Sequence, residues 1–246
     1  MRSPFRIRVG TAGWSIASAR AAEFPAEGNG LERYSAVFSA AEINSTFHRP
    51  HRASTWERWR DSAPEDFRFS VKLRKSVTHE ARLLGAAEEV RSFFAEVSLL
   101  QAKLAVVLVQ LPPSLAFDAN VAEAFFPDLA KRTWATIAVE PRHESWFTAQ
   151  ADECLREHGV ARVGADPARF PGAAEPLPVA GLAYWRLHGS PVMYRSSYAD
   201  RIGALADEIV DHPAKHKWCI FDNTASSAAT GDALELEEAL ATRLDA

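Results

Sequence analysis

The chain has 246 residues, of which 47% are hydrophobic and 24% are charged, the balance of an ordinary globular protein. Its 28 basic and 32 acidic side chains give a formal net charge of −4, which excludes a global basic field that would hold nucleic acid non-specifically. The first residues, MRSPFRIRVG, lack the apolar stretch of a signal peptide, and no segment approaches a membrane-spanning length. The two cysteines, Cys154 and Cys219, form no C-x-x-C pair, so we expect a cytoplasmic protein that does not enter a membrane.

Short apolar or β-branched runs alternate along the chain with longer amphipathic stretches. The runs have the length and composition of buried strands. In chain order they cover residues 5–10, 40–44, 67–73, 104–111, 136–140, 161–165, 182–188 and 217–222.

Helical patterns fill most of the intervals between the predicted strands. In EEVRSFFAEVSLLQAK, helical spacing places Val90, Phe93, Phe94, Val97 and Leu100 on one face. The stretch TAQADECLREHG ends on a glycine, which is a common helix stop. A last helix is predicted over 233–244, with an acidic outer face.

Eight strands, most of them followed by a helix, predict an α/β fold in a chain of this length. We expect a single (β/α)8 TIM-type barrel that spans residues 1–246 as one domain. The alternative is an open doubly wound sheet, which usually carries a glycine-rich first turn for a nucleotide, and VGTAGWS matches such a turn only weakly. The Pro-containing segment 168–181 is interpreted as a loop or a disrupted sixth helix.

Polar and charged residues stand at the ends of nearly all the predicted strands. In a barrel, the C-terminal ends of the strands form the functional face. Successive strand residues point to opposite sides, so residues i and i+2 share a face about 6.6 Å apart. Such pairs are Glu42 and Asn44, Lys72 and Arg74, Glu140 and Arg142, and Arg186 and His188, while Gln110, Asp166 and Asn223 end three other strands.

Two interpretations of this polar rim are open. Barrels can hold structural ion-pair networks that are costly to break and catalytically idle. A near-balance of acids and bases is also what a site for a zwitterionic or phosphorylated ligand needs. We favour a pocket, in which the acids are Glu42, Glu140 and Asp166 and the bases are Lys72, Arg142 and Arg186.

Seven short motifs follow the predicted strands in a fixed order. They are AGWS, EINSTFHR, VKLRKSVTH, QLPPS, VEPRHESWF, YWRLHG and FDNT. Together they resemble the YecE-like family, known as domain of unknown function 72, over about residues 9–234. The resemblance implies a (β/α)8 barrel, in a family with no established reaction.

The resemblance also implies that the rim is a site shared by the family. One departure from the pattern is Asp222, which stands where relatives more often have asparagine and adds a negative charge beside Asn223. Matched motif by motif, the implied positions in this chain are Trp14, Glu42, Asn44, Lys72, Thr78, His79, Gln110, Glu140, Arg142, His143, Arg186, His188 and Asn223.

We expect the rim to bind or turn over a small anionic or phosphorylated molecule. The guanidinium groups of Arg142 and Arg186 are forked donors that suit phosphate or carboxylate. Lys72 would be a third cation or, if burial near the arginines lowers its pKa, a nucleophile.

Proton transfer at the rim would involve carboxylates and histidines. Glu42 and Glu140 are the candidate general bases, with His188 or His143 as the acid partner. The remaining predicted ligand contacts are Trp14, Asn44, His79, Gln110, Asp166 and Asn223.

Two alternatives belong to other classes. No cofactor is required by the sequence, but a divalent metal could be held by Glu42, Glu140, Asp166 and His188. Neighbouring cations and the lack of an H-E-x-x-H motif disfavour such a metal-dependent hydrolase or isomerase. Nucleic-acid binding would require Trp14, Phe47 and Trp146 to be exposed beside arginines, where they could stack on bases.

Overall fold

Nine parallel strand segments form one continuous sheet in the computed structural model of the chain, which describes residues 6–245. The segments are β1 (Arg6–Ala12), β2 (Ala40–Ile43), β3 (Arg68–Lys72), β4 (Leu104–Gln110), β5 (Thr136–Glu140), β6 (Val160–Arg162), β7 (Gly164–Asp166), β8 (Leu182–Leu187) and β9 (His216–Phe221).

The sheet closes into a barrel because β6 and β7 are two halves of one strand. The strand order is β6-β5-β4-β3-β2-β1-β9-β8-β7, and only Val163 separates β6 from β7. The first half pairs with β5 and the second half pairs with β8. Nine segments therefore occupy eight positions around the axis, which confirms the predicted TIM-type barrel and corrects the prediction of an unbroken sixth strand.

Seven α-helices surround the barrel in the described part of the chain. They are α1 (Gly30–Ser35), α2 (Ala53–Ser62), α3 (Ala87–Val97), α4 (Ala119–Ala130), α5 (Ala149–Glu157), α6 (Ile202–Asp211) and α7 (Ala228–Leu244). Short 3-10 turns at Ser45–Phe47 and Glu144–Trp146 and a π-helical turn at Ser76–Glu80 follow β2, β5 and β3.

Most predicted elements are confirmed with shifted ends. The first strand runs to Ala12, and residue 5 of the prediction lies outside the described residues. Helix α3 buries the predicted face but ends at Val97, after which a 3-10 turn places Leu100 in the core. The last helix begins five residues before the predicted start. Segment 168–181 contains no helix, in agreement with its interpretation as a loop.

The barrel wall separates two layers of buried residues. The larger layer lies between the strands and the helices, and both free cysteines are buried in it. The smaller layer fills the barrel interior with side chains from alternate strand positions. Its members are Ala40, Val106, Leu108, Ala138, Ala161, Val163, Leu182, Tyr184, Trp218 and Ile220.

The same alternation decides which strand-end residues face the barrel axis. A residue two positions after a member of the interior layer points inward at the C-terminal end. Glu42 follows Ala40 in this way, and Glu140 follows Ala138. Extended along the other strands, the rule brings Gln110, Arg186, His188 and Asp222 to the same inner face.

Candidate functional site

Arg186, near the end of β8, is the centre of a buried ion-pair cluster. Its side chain is fully enclosed, with 0% exposure. Its Nε donates to both carboxylate oxygens of Glu42, at 3.2 and 3.0 Å. Its Nη2 donates to Glu42 at 2.6 Å and to Asp222 at 3.0 Å, and its Nη1 donates to Glu140. All three guanidinium nitrogens are therefore occupied by carboxylates from three strands.

Glu140, at the end of β5, connects this centre to the mouth of the barrel. Its Oε1 accepts from Nε of Arg142 at 2.7 Å and lies 2.9 Å from Nε2 of His188. The other imidazole nitrogen, Nδ1 of His188, lies 3.0 Å from Asp222 Oδ2. Gln110 donates to the second oxygen of Glu140 at 3.3 Å. We call Glu42, Glu140, Arg142, Arg186, His188 and Asp222 the charged cluster.

The cations of the cluster keep its buried carboxylates ionised. Burial alone would raise the pKa of Glu140, but the charges of Arg186, Arg142 and His188 outweigh it and hold that pKa well below its ordinary value. The pKa of Asp222 is also lowered, because Arg186 and His188 overcome the effect of burial. These carboxylates are therefore fully charged at neutral pH.

Lys72, the last residue of β3, lies beside the charged cluster without being paired to it. Its side chain is 8% exposed, and its Nζ lies over the ring of Phe47, 4.2 Å from the ring centroid. Within residues 6–245, Nζ forms no hydrogen bond or ion pair. Burial and the nearby charge of Arg186 lower the pKa of Lys72 to about 8, against the opposing effect of the three cluster carboxylates.

His79, in the turn after β3, lies at the outer side of Lys72. Its ring is 5.0 Å from that of Phe47, in an edge-to-face arrangement. Burial and the charges of Lys72, Lys75 and Arg142 lower the pKa of His79, so the imidazole is within electrostatic reach of all three. His79 is neutral at physiological pH and can donate to or accept from a ligand at the mouth.

The space at the mouth is small. A recess of about 10 Å³ is lined in part by Arg142, His188, Phe147 and Phe170, and it has room for roughly one water molecule. A larger cavity of about 360 Å³ is lined by residues after β3 and β4, including Arg82, and by no member of the charged cluster. The recess at Arg142 and His188 therefore holds no more than about one water molecule, and Lys72 does not line it.

Asp166 and Asn223, predicted as ligand contacts, face the helical layer instead of the barrel axis. Asp166 accepts from the hydroxyl of Tyr198 at 2.8 Å and from Arg201 at 3.1 and 2.9 Å. Asn223 donates to Asp232 on α7 at 2.6 Å. Each stands one position after an inward residue, so the strand alternation turns it outward. We call Asp166, Ser197, Tyr198, Arg201, Asn223 and Asp232 the outer hub.

Three further predicted contacts lie outside the charged cluster. Trp14 packs edge-on against Trp59 and Phe69, at 5.1 and 6.3 Å between ring centroids, on the helical side of the wall. Asn44 begins the turn after β2, and its Oδ1 is buried without a hydrogen-bond donor in the described residues. His143 caps the turn after β5 by accepting from the backbone N–H of Ser145 at 3.2 Å, which leaves His188 as the histidine of the cluster.

Two cluster contacts were missed at the sequence level. Asp222 binds Arg186 and His188, although only its neighbour Asn223 was predicted as a contact. Tyr184, inside the barrel, donates to Glu42 at 2.7 Å. The signal for both was available, because counting back by two from Arg186 reaches Tyr184, and counting on by two from Ile220 reaches Asp222.

The alternative chemistries find little support in this geometry. The described residues contain no group of three or more His, Cys, Asp or Glu side chains that could hold a metal ion, and Asp166 lies in the outer hub. For base stacking, Trp146 is buried, with its Nε1 donating to Leu115 at 3.0 Å, and Trp14 is packed against other aromatic rings. Between residues 6 and 245, no helix has the length and apolarity to cross a membrane.

Solved structures share this architecture. A DUF72 family protein from Thermotoga maritima superposes with a TM-score of 0.77 at 26% identity, covering 96% of this chain and 99% of that one. A DUF72 family protein from Enterococcus faecalis gives a TM-score of 0.78 at 20% identity, with 96% of each chain covered. The second likeness shows the fold alone.

Sequence relatives point to the same family. UPF0759 protein YecE from Escherichia coli (strain K12) is 29% identical over 138 residues, 54% of this chain and 50% of the relative. UPF0759 protein YunF from Bacillus subtilis (strain 168) is 30% identical over 151 residues, 58% of this chain and 52% of the relative. The chain thus spans about half the length of these relatives. The family model for the protein of unknown function DUF72 matches residues 8–246, and this chain belongs to that family.

Proposed function

We propose that the chain binds a small molecule through one anionic group, a phosphate or a carboxylate, at the charged cluster. The single observation that carries the proposal is the Nζ of Lys72, a nearly buried ammonium without a hydrogen-bonding partner in the described chain. A buried charge left in this state costs free energy, which an incoming anion recovers.

The charge balance of the site supports an anion over a cation. Glu42, Glu140 and Asp222 supply three negative charges, and all three accept hydrogen bonds from Arg186. Their distributed charge keeps Lys72 partly protonated, but none of them contacts its Nζ. An anionic oxygen would therefore meet an available donor, whereas a cation would meet carboxylates that are already occupied.

The other cations of the site have different roles in this proposal. Arg142, which is 10% exposed, lies at the mouth and supplies a second donor. Arg186 was expected to contact the ligand directly, but its occupied guanidinium makes it a positioning residue that holds the carboxylates in place. Arg142 also lines, with His188, the recess of about 10 Å³ at the mouth.

Carboxylate general-base catalysis is a weaker proposal than binding. A general base works best when its pKa lies near the operating pH. The pKa of Glu140 is well below its ordinary value because of Arg186 and Arg142, which more than offset burial. Glu140 is therefore a poor proton acceptor at neutral pH, and Lys72 is the group whose proton is most readily exchanged there.

Calorimetry with sulfate and inorganic phosphate tests the proposal. Replacement of the ammonium by Lys72→Met removes a charge-assisted hydrogen bond, so we expect sulfate to bind about tenfold or more weakly. Lys75→Met is the matched control, because Lys75 is exposed just before the turn that follows β3 and pairs with Glu80 at 3.4 Å. Equal affinity in the wild type and Lys72→Met, or no binding of either anion to the wild type, contradicts the proposal.

The pH dependence of sulfate binding identifies the group responsible. Sulfate keeps its charge over the titration, so a change reports the protein. The pKa of Lys72 is about 8, and the charged groups that surround its Nζ are Arg186, His79 and the three cluster carboxylates. Affinity should fall above that pH, about tenfold per unit, as the ammonium loses its proton. Lys72→Arg should bind without this fall, because arginine stays protonated.

A further inference from the structure

We propose that Lys72 is a nucleophilic amine that condenses with the carbonyl group of a small anionic substrate, such as a 2-oxo acid, to form an imine. The inference rests on the proposed anion site and names the class of molecule that the site takes. Its basis is the placement of a shielded amine, unpaired within the described residues 6–245, on the inner face of the barrel at the C-terminal end of β3.

Lys72 differs from the half-buried Lys103 and from the buried Lys217. Lys103 donates to the carbonyl oxygens of Arg60 and Ala63, and Lys217 donates to the carbonyl of Val210 at 2.8 Å. These bonds hold each ammonium in a structural role. The Nζ of Lys72 has only the face of an aromatic ring beside it, so it can approach a carbonyl carbon without breaking a hydrogen bond to the described chain.

The surroundings of Lys72 also make the reactive form of the amine accessible. Only the unprotonated amine attacks a carbonyl carbon. A shift of the pKa from 10.5 to about 8 raises the unprotonated fraction at neutral pH about 300-fold relative to an ordinary lysine. Burial is the main cause and the charge of Arg186 is the second, so the effect follows from where the fold places this residue.

The chemistry balances without an oxidant or a metal. The ammonium first releases a proton, the lone pair of Nζ then forms a bond to the carbonyl carbon as the carbonyl π electrons move to oxygen, and the oxygen takes a proton from the attached nitrogen to give a neutral carbinolamine. A second proton converts the hydroxyl into water, which leaves as the nitrogen lone pair forms the C=N bond. Overall, one ammonium and one carbonyl compound give one protonated imine and one water molecule.

The charged cluster suits the product as well as the reactant. The protonated imine carries the same single positive charge as the ammonium it replaces. Glu42, Glu140 and Asp222, which favour the charged form of Lys72, favour the charged imine in the same way. The ring of Phe47 adds a cation–π contact at the same nitrogen.

The substrate class follows from the neighbours of the amine. Arg142 and His79 lie on the mouth side, and His79 is within electrostatic reach of both Arg142 and Lys72. A carboxylate next to the carbonyl could bind there while the carbonyl carbon faces Nζ. A neutral carbonyl compound lacks this contact, so the geometry favours a 2-oxo acid over a simple ketone.

Reductive trapping tests the inference on the whole chain. The protein is incubated with pyruvate and cyanoborohydride, and intact mass and peptide mapping locate the stable secondary amine. We expect one adduct at Lys72, among the six lysines of the chain, with labelling that increases as the pH is raised toward 8. Lys75→Met should label like the wild type, and acetone should label Lys72 at least about tenfold more slowly than pyruvate.

The outcomes separate this inference from the proposed function. Two results would contradict imine formation and leave the proposed anion site intact. One is labelling that is spread over the exposed lysines, and the other is wild-type protein that binds sulfate but is not labelled at Lys72. Mapping of the wild-type adduct needs no variant, so the test holds even if Lys72→Met fails to fold. Protection of Lys72 by sulfate supports both proposals. If Lys72 is labelled but no anion binding can be measured, Lys72 is a nucleophile and the proposal of an anion site is contradicted.

Discussion

The charged cluster and the outer hub stand at the same end of the barrel, and adjacent residues after β9 contribute to both. Asp222 belongs to the cluster and Asn223 to the hub, one residue apart. In the hub, Asp166, Asn223 and Asp232 bind the loop before α6 and the start of α7 to the barrel wall. Its polar groups are used for holding loops.

The cluster differs from the hub because a cation without a hydrogen-bonding partner in residues 6–245 lies beside it, whereas the buried atom without a partner in the hub is the neutral amide oxygen of Asn223. Its carboxylates are as fully hydrogen-bonded as those of the hub, but Lys72 beside them is not paired in the part of the chain that the structure describes. A polar residue at a strand end is therefore not sufficient to indicate a site. In our proposal, the face that the residue occupies and the cation left unpaired within residues 6–245 distinguish a binding site from a structural one.

The largest expected effect separates the two regions by stability. Arg186→Met leaves three carboxylates without their common partner, and breaking such a buried pair costs about 3–5 kcal/mol. Arg201→Met removes an ion pair of the hub whose arginine side chain is 48% exposed, so we expect a loss of about 1 kcal/mol or less. Urea unfolding of both variants measures the difference between their free energies of unfolding. If both variants lose a similar amount of unfolding free energy, burial does not distinguish the cluster from the hub.

A second variant tests whether the hub is only structural. Asp232 is 2% exposed and accepts from the backbone N–H of Tyr198 at 3.0 Å and from Asn223 at 2.6 Å. Asp232→Ala should lower the free energy of unfolding by about 1–3 kcal/mol, because buried donors lose their acceptor. Sulfate affinity, measured by calorimetry, should stay within about twofold of the wild type. A large loss of affinity would mean that the hub takes part in binding.

The smallest effect concerns acid stability. The folded-state pKa of Asp222 lies below its ordinary value of 3.8, so the unfolded chain takes up a proton first as the pH falls. The stability that Asp222 contributes is present above 3.8 and is lost as the pH falls through the folded-state pKa. In that acidic range, Asp222→Asn should reduce the slope of the unfolding free energy against pH. The reduction corresponds to the uptake of at most one proton, or about 1.4 kcal/mol per pH unit. An unchanged slope in acid unfolding would contradict the assignment of Asp222 to the cluster.

Much of the barrel could be predicted from the sequence, because its signals are local. Apolar runs, helical spacing and a glycine after α5 depend on neighbouring residues, and the elements they predicted are present with ends shifted by a few residues. The break at Val163 could not be predicted, because it arises where the strand exchanges β5 for β8 as its partner. The strand changes its partner only because the sheet closes into a barrel, and no local pattern in the sequence indicates where this happens.

The sequence predicted those parts of the candidate site that follow from the alternation of side chains along a strand. Glu42, Glu140 and Arg186 were identified because they end strands whose inner face could be counted in twos. Asp166 and Asn223 were assigned to the rim because they are polar and end strands, without regard to the face they occupy. The same count, applied to every strand, would have exchanged Asn223 for Asp222.

The sequence by itself determined the order of the elements, the family motifs and the kinds of charge available at the strand ends, since each depends on residues close together in the chain. Only the tertiary structure decided how those charges are paired. Glu42 meets Arg186 across 144 residues of sequence, and Lys72 has no hydrogen-bonding partner within residues 6–245 because Arg186 occupies the carboxylates around it. Hydrogen bonds and burial depend on distances across the barrel, which no local pattern records.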